Sequence, residues 1–585
     1  MKNIKNIYIK LFLITAIAFI GCDEDNFLEQ VNPNAITEDT YWKTESQFNS
    51  ALTTVYGAMQ FNNISAGSLI KEMNMSDIGG CETWNGGYTF RNLTYTDATA
   101  SVTEQWNELY VGIFRANQVI QYIQEADDSN FTGNSKAQIE AQARFLRAFF
   151  YFKVAHTYGG AVIHTQVAEN SEDLSKPFST ISDVTTEVII PDLEFAQTNL
   201  PTIWEGDNVG RITWGAATSL LGKVYLFDKD FPKAASLFKE VIDSEIYSLT
   251  TNIIDNFSHE NEFNSESILE VSYSSTLNPG VNGNIIDDNP YETGAEASSM
   301  ARGIGHHLEG GGYNGIMPTY YLHEMFLADE VDSTNPINDG NAHSKRLNVS
   351  IAPIDYEGLY YNKLVEDMSG WAYGQSAYTK KHSNWYHLDA EDTEYRSGIN
   401  FRHIRLADIY LMYAEAVIEA NGDYTTAIEY IDKVRKRAGV VTLQKYMDNN
   451  SGMFPQLHIS QEIHGERPMV AASSETVMTH LRRVERPLEL CFEGHRWKDL
   501  VRWGIVQEVF DELRADEVWR FDHIDDLNVK KNAAIGNDGT GIAPLFIKER
   551  IRPDFVICSD VYTPSQHDYF PIPAGEVQAN DQLNN

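Results

Sequence analysis

At 585 residues and 66.1 kDa, with 42% hydrophobic and 22% charged residues, the chain has ample material for a core and is not disordered by composition. Its formal net charge of −38 and the lack of any basic stripe exclude a nucleic-acid partner. The same balance favours neutral over polyanionic ligands, and an aromatic content of 12% supplies flat faces for packing or for stacking on a ligand.

Residues 1–10 carry Lys2, Lys5 and Lys10 and no acid, residues 11–20 are apolar except for Thr15, and Gly21-Cys22 follow. This is the layout of a signal peptide over 1–21, too short for a membrane span. A Cys directly after a small residue resembles a bacterial lipobox, which makes Cys22 the expected lipidation site, although Phe19 and Ile20 stand where Leu and a small residue are usual. Residues 22–37 read as a polar tether and 38–585 as one domain.

Thr37 or Thr40 is the expected cap of a first helix, continued by Phe48, Leu52, Val55 and Met59. Residues 61–97 are rich in Asn, Gly and Thr and read as a long irregular segment, a place where function concentrates. Apolar spacing predicts helices over 103–126, 136–158 (stopped by Gly159-Gly160), 181–199, 213–227 and 231–246. From 250 to 400 the periodicity fades; strand-like 268–273 alternates with Gly-rich runs such as 280–289 and 303–315. Helices return over 401–420 and 424–438 across the stop–start signal Asn421-Gly422-Asp423. The pairs Lys223–Leu226 with Asp230–Ala234, and Tyr413–Ala416 with Gly422–Ala427, have the size and small-residue pattern of tetratricopeptide repeats. The expected class is therefore α-rich, mainly α with irregular loops and a few short strands. Its helix-pair scaffold covers 38–60, 103–246, 401–438 and 484–513, and its variable region 61–97 and 250–400. The tail beyond about 515 reads as loop.

The densest stretch is 484–504, with Glu485, Glu489, Glu493, His495 and Asp499 in close succession. A carboxylate pair beside an imidazole suits hydrolysis, so a glycoside hydrolase is one reading. The other is structural: Val484, Leu488, Cys491 and Phe492, then Trp497, Leu500 and Val501, recur at helical spacing, and the charges fall on flanks where they can pair. Pro487 removes a backbone donor within this pattern, so a helix restarts there rather than running through.

Other chemistry is poorly supported. His323-Glu324-Met325-Phe326-Leu327 has Leu where a zinc-binding HExxH needs its second His. His306-His307, His382 and His387 lack helical pairing and read with His323 as surface or loop histidines. Gly303–Leu308 fails the dinucleotide pattern at its last position. No metal or other cofactor is expected; a structural calcium on the oxygens of residues 332–340 is the minor alternative, without EF-hand spacing. With Cys22 set aside, Cys81, Cys491 and Cys558 leave at least one thiol unpaired, Cys491 reads as a core residue, and the pairing of Cys81 with Cys558 stays open.

Nine blocks in order resemble the SusD/RagB family, the glycan-binding surface lipoproteins of Bacteroidetes. They are Phe27-Leu28-Glu29 with Tyr41-Trp42; Trp106–Tyr110 with Ile113 and Ala116-Asn117; Ala143–Ala148 with Tyr151-Phe152 and Tyr158–Gly160; and Gly210–Thr213 with Ala216-Ala217. Arg405–Asp408, Tyr413–Ala416, Val434–Gly439, the Glu489–Gly504 signature and Phe570–Pro573 with Asn580 complete the set. The resemblance implies a non-catalytic protein that captures oligosaccharide and delivers it to a SusC-like TonB-dependent transporter in the outer membrane. It would be held there, facing the exterior, by the lipid on Cys22; Asp23-Glu24-Asp25 is similar to the surface-export tag of such lipoproteins. A protein-binding helical-repeat scaffold is a further alternative.

Sugar recognition needs flat aromatics for ring faces and planar polar groups for hydroxyls. Trp84, Asn85 and Tyr88 beside Asp77, then Trp371, Tyr373 and Gln375, then Tyr395-Arg396, are the candidate glycan-binding residues. Trp84 and Trp371 lie among glycines and polar residues, a poor context for a core. Trp385 and Tyr386 are weaker candidates, and Trp106 reads as scaffold.

Overall fold

The computed structural model describes residues 41–277 (66 and 68 excepted), 296–368, 377–391, 396–523 and 554–583. The expectations for residues 1–40, Cys22 included, lie outside the described residues, as do those for Trp371, Tyr373, Gln375 and Tyr395. No helix of the described residues is long and apolar enough to cross a membrane.

Helix α1 (Glu45–Met59) is capped by Thr44, which accepts from Gln47 N–H while the Gln47 side chain accepts in return from the Thr44 N–H; the expected caps Thr37 and Thr40 lie outside the described residues. Next come α2 (Leu69–Met75), α3 (Ala100–Glu125), α4 (Ser135–Tyr158), α5 (Ile190–Asn199), α6 (Trp214–Phe227) and α7 (Phe231–Asp243). The last two regular scaffold helices, α8 (Leu406–Asn421) and α9 (Tyr424–Ala438), stack on α7 although a long stretch of chain intervenes. Antiparallel pairs α3/α4, α6/α7 and α8/α9 thus form one stack, bridged by α5 and flanked by α1. The two repeat turns use the same device. Asp230 and Asp423 accept from the N–H three residues on, and Lys229 and Gly422 take the left-handed position before them. In α6, Gly222 lets the partner helix close in, since a Cβ there would lie 2.7 Å from the Phe238 ring.

The strand pair β1 (Ser267–Val271) and β2 (Phe401–Arg405) runs antiparallel with Phe401 opposite Val271 and Arg402 opposite Glu270. Residues 401–405 are therefore strand rather than the start of the helix; α8 begins at Leu406. Four of its five residues are buried, Arg402 and Arg405 among them, and the register shifts along it, so here the apolar spacing that reads as helix belongs to an irregular strand with two buried cations.

Pro487 does not restart the helix. A π turn, Leu481–Glu485, leads directly into α10 (Arg486–Leu490), with helical φ and ψ at the junction. The wider turn makes room for the proline ring, and the Arg482 carbonyl accepts from Arg496 at 2.7 Å instead. The same solution occurs at Thr185–Ile189, where a π turn stands just ahead of Pro191 and α5. The chain does break at Cys491–His495, where Phe492 and Gly494 adopt positive φ, before α11 (Arg496–Trp503) and α12 (Val506–Asp522). Helicity continues past 513, and a further helix, Asp554–Val561, lies in the tail expected as loop.

Nor is 61–97 irregular throughout. It contains α2 and the one-turn helix Tyr88–Arg91, and Ile64, Leu69, Met73, Met75 and Ile78 are buried in the main core. In the variable region, Ala352, Ile354, Tyr360, Tyr361, Val365, Met368 and Tyr378 form a separate small core.

Candidate functional site

The chain from 77 to 91 is tied to the glycine-rich run 303–315. Gly79 and Gly80 pair with Pro318 and Met317. The Asn85 side chain donates to the Tyr313 carbonyl at 3.0 Å and accepts from Gly87 N–H at 2.8 Å. These bonds turn the loop at 82–88 and leave Trp84 at its outer edge, 48% exposed, with its ring 5.3 Å from that of His307. His307 is set in turn by the Gly312 carbonyl, 3.2 Å from Nδ1. Leu308 is half exposed, and Glu309 accepts from Lys363 at 2.5 Å. The result is a shelf: an aromatic face, an imidazole, an apolar side chain and an ion pair at its side. Such a surface can lie against the apolar face of a sugar ring while polar groups meet its hydroxyls.

The predicted site residues divide on this surface. Trp84 provides the face. Asn85 shapes the loop, and its amide is already engaged. Tyr88 is half-buried at the start of the one-turn helix, and Arg396 is half-buried elsewhere in the variable region. Asp77 is a correction: it is fully buried, and both its oxygens accept from Arg496, at 2.7 and 2.6 Å, so it cannot reach a surface ligand. Trp385 and Tyr386 are framework. Lys380 Nζ sits 3.9 Å from the Trp385 ring centre, and the Tyr386 hydroxyl bonds Ser258 Oγ at 3.1 Å and His259 Nδ1 at 2.9 Å. His307, Leu308 and Lys363 were not identified as site residues; the glycine run around the first two was the only signal, and nothing in sequence links Lys363 to it.

Of the histidines read as surface or loop residues, His306, His307, His382 and His387 lie outside regular helices and strands, with His307 and His387 partly buried, while His323 is in a helix. His306, His323 and His382 are buried, and burial pushes the His323 imidazole down to about 4 and that of His382 to about 3. Asp332 lies in a closed turn, accepting from Thr334 N–H at 2.9 Å and Lys445 at 2.6 Å. Among the described residues, no group of three or more His, Cys, Asp or Glu could hold a metal ion. Cys81, Cys491 and Cys558 are buried free thiols, so the first and last are not bridged.

A cleft of about 820 Å³ between α3, residues 164–176 and the C-terminal residues is a weaker candidate than its size suggests. Its Trp106 is 2% exposed, the Tyr110 hydroxyl is taken up by the Val162 backbone, and the Asn117 amide by His164 O and Arg147. Only Phe114 offers an open aromatic face.

The charged signature lies beneath the shelf, not on it. Arg405 donates to Glu493 at 2.7 Å, and to Glu489 and Glu266 at 2.8 Å. Arg437 joins Glu266 and Glu489, and Lys381 holds Glu493 at 2.8 Å. Burial alone would raise the Glu493 carboxyl; Arg405 and Lys381 outweigh it and hold it well below the carboxylate range. Glu485 sits likewise between Arg346 and Arg435, and Asp408 and Asp499 share Arg486. These carboxylates are buried and taken up in ion pairs, the opposite of a general acid's needs. They bind α10 and α11 to α8, α9 and the variable region. Arg496 extends the same network to Asp77, and Lys498 to Glu72, at the base of the loop that carries Trp84.

A model of the SusD family matches residues 265–585. The chain belongs to the SusD family. A second family model, described as starch-binding associating with outer membrane, matches residues 26–226. SusD-like protein P25 of Formosa agariphila is 24% identical over 552 residues, covering 87% of this chain and 92% of that one. A SusD-like protein of Bacteroides ovatus is 24% identical over 456 residues, 74% of this chain and 76% of that one. Among solved structures, a SusD superfamily protein from Bacteroides vulgatus superposes with a TM-score of 0.69 at 22% identity, covering 93% and 98% of the two chains. A structure described as a laminarin binding SusD-like protein gives 0.64 at 22% identity, covering 92% and 98%. The helix-pair stack is thus the SusD fold, and the signature is its internal clamp.

Proposed function

We propose that this SusD-family protein captures an oligosaccharide at the cell surface, without transforming it, and delivers it to a SusC-like TonB-dependent transporter of the outer membrane. The observation that carries the reading is Trp84, a large aromatic held half-exposed on a hydrogen-bonded, glycine-rich shelf. The laminarin binding of one structural neighbour and the starch-binding description of one matching family support it. Trp371, Tyr373, Tyr395 and Arg396 are the further contacts proposed, with Tyr88 at the margin. Cys22, lipidated after removal of residues 1–21, is the proposed anchor, with the domain facing the exterior. The reading as a hydrolase loses its residues, since Glu489 and Glu493 are buried in ion pairs.

Calorimetry of the purified protein against a panel of neutral glycans, laminari-oligosaccharides among them, tests the reading. One member binds, and Trp84→Ala weakens it at least tenfold, about 1.4 kcal/mol, with the melting temperature unchanged. Unaltered affinity in Trp84→Ala removes the shelf as the site. Steady product formation from any bound glycan removes the non-catalytic reading.

A further inference from the structure

A second groove, sharing no residue with the shelf, runs between α1, the turn at 209–211 and β1, with a volume of about 540 Å³. That is the size of a ligand site rather than a packing gap. Two of its lining residues are arginines, and their surroundings are unusual for this chain. The protein carries 83 acidic and 45 basic side chains, and most of its described arginines pair with carboxylates, as Arg144, Arg346, Arg435 and Arg502 do. Arg115 and Arg211 have none within salt-bridge distance among the described residues. Arg115 donates one bond, to the Thr54 carbonyl at 2.8 Å, and its guanidinium lies 5.3 Å from the Phe61 ring centre. Arg211 reaches only neutral amides, Asn49 Oδ1 and Gln142 Oε1, both at 3.3 Å. Burial with no carboxylate to offset it pushes the Arg115 guanidinium below its usual range.

The groove also presents an aromatic ring at a backbone cost. Phe263 has φ +49, a conformation that a bulky residue adopts only under constraint. Its N–H donates to the Glu270 carboxylate at 3.1 Å, and its ring lies over Gly210, where a Cβ would come within 2.8 Å of it. Glu270 is itself neutralised by Arg402 at 3.0 Å. Glu296, bonded to Gln60 Nε2 at 3.0 Å, is the one lining carboxylate with no cation partner among the described residues. Two guanidiniums with open donors therefore line the same groove as one carboxylate that has no cation partner among the described residues, beside an aromatic ring.

We infer that this groove is a second saccharide site, selective for a sugar carrying an anionic group, with Arg115 and Arg211 receiving the anion and Phe263 the ring face. Planar guanidiniums bind carboxylate and sulfate oxygens in pairs, which a neutral hydroxyl cannot match. The inference rests on the glycan-binding reading but not on the shelf. It also reverses, locally, the preference for neutral ligands that the net charge suggests.

Calorimetry with trigalacturonate, a sulfated carrageenan tetrasaccharide and neutral laminaritetraose, each at about 0.02 and about 0.15 M salt, tests it. At least one anionic probe binds; which one separates carboxylate from sulfate recognition. The double variant Arg115→Gln, Arg211→Gln weakens that binding at least tenfold and flattens its salt dependence. Phe263→Ala weakens it with both arginines intact, and Trp84→Ala leaves it unchanged. Failure of both anionic probes to bind, or binding undiminished in the double variant, overturns the inference. If both anionic probes fail while laminaritetraose binds and is lost in Trp84→Ala, the shelf stands and the groove falls; silence from all three probes would overturn the groove and count against the glycan reading as well.

Discussion

Glu493→Gln separates the structural reading of the signature from any chemical one. Three cations, Arg405, Arg437 and Lys381, meet three carboxylates, Glu266, Glu489 and Glu493, with every side chain 5% exposed or less. The cluster is balanced, and glutamine leaves it with one buried positive charge in excess. At an effective dielectric near 20, unit charges ~4 Å apart interact by ~4 kcal/mol. Removing one partner of a buried pair typically costs about 3–5 kcal/mol. Urea unfolding at pH 7, followed by tryptophan fluorescence, should show a loss of that size against a total on the order of 10 kcal/mol. Lys381→Met added to Glu493→Gln rebalances the cluster at two charges each, so the double variant recovers much of the loss rather than adding to it. The folded single variant keeps its glycan affinity. A cost below about 1 kcal/mol, or strictly additive losses in the cycle, would refute the charge-balance argument.

Four further outcomes follow from the same geometry. Arg496→Ala strands the Asp77 carboxylate and the Arg482 carbonyl, costs about 3–5 kcal/mol, and speeds amide exchange in residues 77–91 relative to α8; equal protection there would contradict the clamp. Gly494→Ala adds a Cβ 2.9 Å from Leu69 at φ +82, and thermal melts should register a loss of about 1–3 kcal/mol. Trp84→Ala, by contrast, changes the unfolding free energy by no more than about 0.5 kcal/mol, as an exposed position should. Stability falls on both sides of a mildly acidic optimum. Glu266, held down to about 2 against burial by Arg437 and Arg405, contributes fully above its ordinary value of 4.5 and loses that contribution as pH falls towards 2. Glu517, raised from 4.5 to about 8 by burial, contributes below 4.5 and loses that contribution as pH rises through 8. Melting temperatures from pH 3 to 9 should trace this dome, and Glu517→Gln should flatten its alkaline side, since Gln can still accept from Val556 N–H.

The legible part of the fold is the part whose signal is local. Helices α3, α5, α7 and α9 bury one face that recurs at helical spacing, while α4, α6 and α8 are apolar and buried nearly all round over helical lengths; their caps and stops are single residues such as Asp230, Gly159 and Gly422. Misreadings arise where burial does not follow hydrophobicity. β2 hides Arg402 and Arg405, and residues 61–97 hide Glu72, Asn74 and Asp77, so both lack the expected contrast between core and surface. Pro487 misleads for another reason. Its cost is met by the Arg496 guanidinium, a partner across the break at Cys491–His495, and no window of sequence that treats the helix alone contains it.

The same distinction explains why the conspicuous motif and the proposed ligand surfaces fall in different places. A buried ion cluster constrains every member at once, because removing any one strands the rest; that is why Glu489, Glu493 and Arg496 stand together as a recognisable signature. The proposed sugar-binding shelf constrains very little. Trp84 needs only a loop that holds it out, and its neighbour His307 is delivered by a glycine-rich loop tied to that one through the Tyr313 carbonyl. Such contacts accept many side chains, so a ligand surface can change while the frame beneath it stays. The bond from Arg496 to Asp77 is where the two meet: it fixes the base of a loop whose tip is free to vary. On the proposed reading, specificity belongs to residues that carry no motif, and Arg115, Arg211 and Phe263 are readable only because their charges and backbone depart from what most of the described chain does.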